Sequence, residues 1–279
     1  MCVRACTVLA AVGAARVIAA MLRVWWMAPA SHWLVYVGSA AAVLVATATG
    51  APRAGIDFFP LTCDYRERAA AAGKFPGGFL KREGRPTMKE TLTSRLMDRP
   101  IRPLFPEGFY DEVQVQASVL ASDRQNDPDV LAMNGASAAL CISPPPFQGP
   151  LGSVRLAQVN GVFVPFPTQD QLEESDLDLV VSGSPTAVLM IEGFAREMPE
   201  ERMLEALEEA HRYIRILCEM QDELVRKAGK PKKEYVLADY SALRERLTRD
   251  YLGELKAAKA VAVKQDRGQA VKALREKAK

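Results

Sequence analysis

Glu112-Val113-Gln114-Val115-Gln116-Ala117-Ser118-Val119-Leu120-Ala121-Ser122 is the stretch on which the fold of this chain turns. Val113, Val115, Ala117 and Val119 fall on one side of a period-two repeat, so the segment is predicted as a strand with one buried face. Asp127-Pro128-Asp129 follows and reads as a helix start: Asp127 can cap, and Pro128 suits the first helical position, where no N–H is needed. The helix predicted over residues 130–142 is small and apolar all round, which implies burial. Ser143-Pro144-Pro145-Pro146 ends it, and short strands are predicted at residues 154–159, 162–164, 177–182 and 187–192. Strand, buried helix and strands again is the order of an α+β sandwich.

The flanks extend this reading. Residues 35–37 and 43–47, rich in β-branched side chains and separated by Gly38-Ser39, are predicted as a hairpin. Residues 58–65 are predicted as a strand, Phe59, Leu61 and Cys63 alternating with Pro60, Thr62 and Asp64. Residues 87–98 carry Met88, Leu92, Arg95 and Leu96 at three- and four-residue spacings, a helix that Pro100 and Pro103 stop. Residues 199–228 are predicted as one long helix with an apolar face through Met203, Leu204, Leu207, Ala210, Ile214 and Leu217. His211 lies beside that face, where a packed histidine is expected rather than a catalytic one. Gly229 and Pro231 end the helix. Residues 238–279 are helical by pattern and heavily charged, with Leu243, Leu247, Tyr251 and Leu255 spaced by fours.

With 49% hydrophobic and 25% charged residues, the 279-residue chain has globular rather than disordered composition. A net charge of +2 excludes a global field that would hold nucleic acid, so any such contact rests on local clusters. Five scattered cysteines without a CxxC pair, and two histidines, argue against a zinc site or disulfide framework and for reduced, cytoplasmic thiols. The first 32 residues stand apart, since no acid precedes Asp57 while Arg4, Arg16 and Arg23 do. Arg16 interrupts the apolar centre that a signal peptide needs. Pro29, Ser31, His32, Gly38 and Ser39 break up a membrane helix over residues 24–45. A transit peptide of mitochondrion or plastid fits in part. Sequence foreign to the rest, from a misplaced gene start, fits best, and it is expected to add nothing to the core.

Gly78-Phe79-Leu80-Lys81-Arg82-Glu83-Gly84-Arg85-Pro86 sets an aromatic and an aliphatic side chain beside cations, on a backbone loosened by glycine. Cations answer phosphates, and a ring can stack on an unpaired base. Phe79, Leu80, Lys81, Arg82 and Arg85 are therefore candidate contacts to single-stranded nucleic acid. The competing reading is a solvated basic turn.

This loop belongs to a longer set of runs. They are Gly55-Ile56-Asp57-Phe58-Phe59-Pro60-Leu61-Thr62, Ala72-Gly73-Lys74-Phe75-Pro76-Gly77-Gly78-Phe79, Arg99-Pro100-Ile101-Arg102-Pro103-Leu104-Phe105-Pro106 and Leu177-Asp178-Leu179-Val180-Val181-Ser182-Gly183. Through them the chain, from about residue 35 to about residue 237, closely resembles the first RNase PH-like core of the polynucleotide phosphorylase family of phosphorolytic RNA exonucleases. The resemblance implies an RNase PH-like (ribosomal protein S5 domain 2-like) β/α sandwich over residues 33–229, after an atypical segment at 1–32. A truncated all-helical segment would follow over residues 230–279. It implies that the glycine-rich loop lines the central opening of a homotrimer, where two aromatics are common and Phe79-Leu80 supplies one. Arg99 and Arg102 match arginines that contact phosphate in the related fold; ion pairs with Asp98, Glu107 or Asp111 are the alternative. The complete family enzyme degrades RNA from its 3′ end with inorganic phosphate and Mg2+, and carries a second core and further RNA-binding modules. An RNA helicase or an endonuclease is the further partner suggested; DNA and membrane are not.

Phosphorolysis needs an anion pocket, which glycine and serine at a helix N-terminus provide. In the family's active second core a Gly-Ser-Ser run opens the helix equivalent to residues 130–142. Asp127-Pro128-Asp129 stands there instead, with one N–H deleted and two carboxylates at the positive end of the dipole, so phosphate is expected to be repelled. Asp176 and Asp178 form a tempting metal-holding pair. The plainer reading, a loop acid and a strand-start acid, is the one the resemblance favours. No catalytic residue and no metal ligand are assigned to this chain. Its expected role is the non-catalytic, RNA-binding and ring-forming core of a phosphorolytic enzyme. The alternative is an RNA-binding or assembly module without activity of its own.

Overall fold

Eight strands appear among the residues that the computed structural model describes, namely 33–37, 41–52, 55–56, 58–235 and 240–278. They are β1 (Trp33–Val37), β2 (Ala41–Gly50), β3 (Leu61–Glu67), β4 (Glu112–Ser122), β5 (Gly152–Val159), β6 (Val162–Pro165), β7 (Leu177–Gly183) and β8 (Val188–Ala195). The helices of the same unit are α1 (Met88–Ile101), α2 (Asp129–Ile142), α3 (Gln169–Glu173) and α4 (Glu200–Ala228). One sheet has the order β1-β2-β4-β3 and the other β6-β5-β7-β8. The alternation read in residues 112–122 holds to the residue: Val113, Val115, Ala117 and Val119 are all buried. β3 runs parallel to β4, and α1 lies on the crossover that a parallel pair requires. The other pairings are antiparallel.

Twelve of the 14 residues of α2 are buried, and the helix touches strands of both sheets. Its polar residues set its position. Asn134 accepts from Ser153 N and donates to Ser153 O, both at 2.8 Å, and Ser137 Oγ accepts from Leu151 N and donates to Gln221 of α4. Buried polar groups paired in this way fix a helix without an unsatisfied donor. α4 covers β5 and β7 with Ala206, Ala210, Ile214, Leu217 and Cys218. His211 is half-buried, its Nε2 3.1 Å from the Ser184 carbonyl.

Several local expectations are corrected. The strand expected at 58–65 begins at Leu61 and ends at Glu67, because Phe59 leaves the ladder to join Phe105 (4.5 Å between ring centres) and Phe109. α1 does not stop before Pro100. It continues to Ile101, since a missing N–H in the last turn costs one bond, and Arg102 N closes the end on Asp98 O. The apolar spacing of α1 misleads about its inner face: Met88 is 77% and Leu92 51% exposed. The buried residues are Glu90, Thr93, Met97, Pro100 and Ile101. Glu90 is drawn inward because its carboxylate closes the Thr87 capping box and accepts from Glu67 N at 2.9 Å. Leu204 of α4 also faces solvent. Asp127 is no cap either: Pro128 occupies the N-cap of α2 without a side-chain bond. The short helix α3, closed by a Thr168–Gln171 capping box, was not legible.

Within residues 24–45, the described part is the strand pair β1 and β2, joined from Val37 against Ala42, rather than a helix. No described helix is long and apolar enough to cross a membrane. Residues 1–32 and the Gly38-Ser39 turn lie outside the described residues.

The chain leaving α4 stays on the core to Tyr235, where the first compact unit ends. Lys230 N and Lys233 N donate to the Ile142 and Pro144 carbonyls. Lys232 Nζ donates to three carbonyls at the end of α2, Leu140, Cys141 and Ser143, at 2.8–2.9 Å. A helix terminus leaves such carbonyls without partners, and a lysine there completes it. The second unit consists of α5 (Ser241–Lys259) and α6 (Lys264–Ala278), neither with a buried residue.

Candidate nucleic-acid interface

Gly73, at φ +65°, ends a 3₁₀ turn at Ala69–Ala72 and releases the chain into residues 74–86. The loop is irregular but pinned. Glu83 Oε1 accepts from Ala69 N at 2.6 Å, Arg68 donates to the Glu83 carbonyl at 2.9 Å, and Arg124 donates to the Ala72 carbonyl. At the tip Lys81 N donates to Gly78 O, and Arg82 Nη1 donates to the Phe79 and Lys81 carbonyls at 2.7 and 3.2 Å. Gly77 sits at φ +122°, and a Cβ there would lie 2.6 Å from Lys81 Cδ, so the lysine stem folds across a position that only glycine suits.

This scaffold leaves Phe79 91%, Leu80 87% and Phe75 92% exposed. Three large apolar side chains held in water on a pinned loop form a surface that an occupant would cover. Lys81 and Arg85 make no side-chain hydrogen bond or ion pair among the described residues. The loop thus brings Phe79, Leu80, Lys81, Arg82 and Arg85 together. Phe75 belongs with them and was missed, although Lys74-Phe75-Pro76 shows the same pairing of ring and cation.

Arg99 and Arg102 stand apart, at the far end of α1, on the order of 18 Å of helix rise from Thr87. Arg102, although exposed, is engaged by the protein's own groups: Nε and Nη2 fork onto Asp98, while Nη1 and Nη2 donate to the Phe59 and Leu61 carbonyls. It positions the start of β3 against the end of α1. Arg99 pairs with Glu192 of β8 at 2.8 Å in an exposed contact, which a phosphate can displace at little cost. The pair borders a cavity of about 480 Å³, walled by Ile191, Phe194 and Met203.

The start of α2 is closed by charge rather than open to it. Arg155 of β5 donates through Nε and Nη2 to both oxygens of Asp178 at 2.8 Å, and through Nη1 to Asp127 and Asp129 at 3.1 and 3.2 Å. Lys89 Nζ lies 2.9 Å from Asp127 and 3.0 Å from Glu67. Burial and the neighbouring Asp127 push Asp129 up to about 6, against the pull of Arg155. The expectation of bare repulsion is therefore refined. The two carboxylates at the helix start are neutralised in place, and Arg155 has four of its hydrogen bonds committed to acids. Asp176 pairs with Arg196 at 3.8 Å, so the two candidate acids answer different arginines. No group of three or more metal-ligating side chains occurs among the described residues. With Asp127, Asp129 and Asp178 bound to Arg155, this donor set does not fit a divalent cation, and Pro128 without an N–H does not fit phosphate.

The described residues thus form a two-sheet α+β core with an exposed aromatic and basic loop. Residues 32–146 match the 3′ exoribonuclease family, domain 1, and residues 149–213 match domain 2 of that family. The chain belongs to the 3′ exoribonuclease family. It is 61% identical over 236 residues to the polyribonucleotide nucleotidyltransferase of Rhodopirellula baltica, covering 85% of this chain and 31% of that protein. The polyribonucleotide nucleotidyltransferase of Heliobacterium modesticaldum is 51% identical over 214 residues, 76% of this chain and 30% of that one. For that of Methylacidiphilum infernorum the figures are 47% over 240 residues, 86% and 34%. The chain spans about a third of the length of these curated relatives.

Proposed function

We propose that this chain is the RNA-gripping, non-catalytic first core of a phosphorolytic 3′-to-5′ exoribonuclease, a polyribonucleotide nucleotidyltransferase. The observation that carries the reading is the pinned loop of residues 74–86, which holds Phe79 and Leu80 in solvent beside Lys81, Arg82 and Arg85. An exposed ring accepts an unpaired base, and the cations take the flanking phosphates, without regard to sequence. The closed start of α2 supports a role without chemistry, since Arg155 and its three acids leave neither an anion pocket nor a free carboxylate pair. Inorganic phosphate and Mg2+ would act elsewhere in the complete enzyme. A homotrimer would bring three copies of the loop together around one strand.

The test has two arms. The purified chain is expected to release no nucleoside diphosphate from poly(A) with phosphate and Mg2+. It is also expected to bind single-stranded RNA at low salt. K81A/R82A should lower the log–log salt slope by roughly 1.4, about 0.7 for each phosphate that the protein no longer neutralises. F79A should weaken binding at an unchanged slope. Turnover that D178N abolishes, or RNA binding indifferent to all three loop changes, would overturn the reading.

A further inference from the structure

We propose that Glu83 is a positioning residue for RNA. With Arg68 it closes the loop of residues 74–86 into the shape that presents Phe79, Lys81 and Arg82 to a strand. The inference rests on the RNA-binding reading of that loop. Phosphate binding alone would exclude an acid from such a place. Lys74, Lys81, Arg82 and Arg85 are the cations of the loop, and Glu83 is its one acid. A carboxylate next to Arg82 repels the phosphates that the cations attract, so its presence calls for a contribution that offsets the repulsion.

The hydrogen bonds supply one. Every residue from Gly73 to Lys89 is exposed, so no apolar core orders this stretch. Its shape depends on polar contacts at the foot of the loop, and two of them meet at Ala69. Where the chain enters the loop, Lys74 N donates to the Ala69 carbonyl at 2.9 Å. Beyond the tip, Glu83 Oε1 accepts from Ala69 N at 2.6 Å. Both ends of the intervening segment are thereby tied to a single residue just past β3. Arg68 adds a second hold, donating through Nη1 to the Glu83 carbonyl at 2.9 Å and lying 3.7 Å from Glu83 Oε2. The N–H that Glu83 serves opens the 3₁₀ turn Ala69–Ala72, whose N-cap Arg68 offers it no side-chain bond. Closing a loop at its foot removes conformers that would otherwise be lost when RNA binds. Preorganisation of this kind tightens binding without adding a contact.

The sign of one substitution separates positioning from charge. The full chain is titrated with a fluorescein-labelled oligoadenylate, and anisotropy is read from low to physiological KCl. E83A removes an acid from beside the cations, so charge alone would make it bind RNA more tightly. Positioning gives the opposite: binding weaker by roughly fivefold or more, the scale of the entropy of fixing one residue. The salt slope should stay unchanged, because Lys81, Arg82 and Arg85 remain. E83Q keeps an oxygen for Ala69 N and should recover most of the loss. Both variants should melt with the unaltered chain, since no buried contact is removed. If E83A binds as tightly as the unaltered chain or more so, while K81A/R82A loses affinity and slope, the inference is overturned and the loop reading stands. E83Q as weak as E83A would place the effect outside the Ala69 bond and overturn it as well. So would weaker binding by E83A that accompanies a lowered melting temperature, because Glu83 would then act on the fold. If K81A/R82A is also silent, the loop is a solvated turn and both readings fall.

Discussion

Arg155 holds Asp127, Asp129 and Asp178 together across three elements that are distant in sequence, so its loss should be felt far beyond its own contacts. Removing one partner of a buried ionic cluster leaves uncompensated charge and costs about 3–5 kcal/mol. R155Q is expected to lose on the order of 3 kcal/mol near neutral pH in urea denaturation, and less in mild acid. The pH dependence follows from Asp129, whose carboxyl rises from 3.8 in the unfolded chain to about 6 through burial and the charge of Asp127. Above pH 6 the group is ionised in both states, and below 3.8 it is protonated in both. Between these limits only the folded state holds the proton, so this residue adds stability as pH falls from about 6 towards 3.8. D129N keeps an oxygen for the Val130 N–H, bonded at 2.6 Å, and should flatten that part of the profile. Equal pH slopes for D129N and the unaltered chain would remove Asp129 as the cause. No sequence pattern foretold this cluster, because positions 127, 129, 155 and 178 meet only when the neighbouring strands β5 and β7 and the start of α2 are assembled.

α1 shows why an element can be legible while its orientation is not. Its helical period is plain, but the face that spacing favours, Met88 and Leu92, points to water. The polar Glu90 and Thr93 lie inside with Met97, because Glu90 serves two backbone N–H groups, one of its own cap and one of β3. Hydrogen bonding overrode hydropathy there. β4 had no such competitor, and its alternation translated directly into burial. The contrast is measurable. M97A should cost about 2–5 kcal/mol, as deletions of fully buried side chains do, while L92A should stay within about 0.5 kcal/mol. A loss from L92A comparable to that from M97A would mean that another surface covers this face of α1. The loop of residues 74–86 lies between these cases. Its ring and cations were readable from composition, but its pinning by Arg68, Glu83 and Arg124 needed the fold.

For the molecule as a whole, Gly229 and Pro231 made the end of α4 legible, whereas the continuation of the first compact unit to Tyr235 was not. A proline and glycine boundary marks where α4 ends, yet Lys232 then reaches back to three carbonyls of α2, and Tyr235 sets its ring edge-on to Phe109 at 6.0 Å. A lysine in a charged linker carries no signal of this, since its partners are backbone atoms about ninety residues earlier. The consequence is a sharp expectation about where the chain can be shortened. Ended after Tyr235, the protein keeps the Lys232 contacts, and its melting temperature should stay within about 2 °C of the full chain, because α5 and α6 bury nothing of their own. Ended after Gly229, it exposes the last carbonyls of α2 and loses charge-assisted bonds worth together about 2 kcal/mol, a fall of roughly 4–8 °C. K232M in the full chain should reproduce most of that fall without removing any residue. Scanning calorimetry of the four proteins decides it. If the chain ended at Gly229 melts with the one ended at Tyr235, the linker merely rests on the core. If K232M alone is silent while the shorter chain is destabilised, the stabilisation comes from Tyr235 and the Lys230 and Lys233 backbone bonds rather than from the lysine at the end of α2.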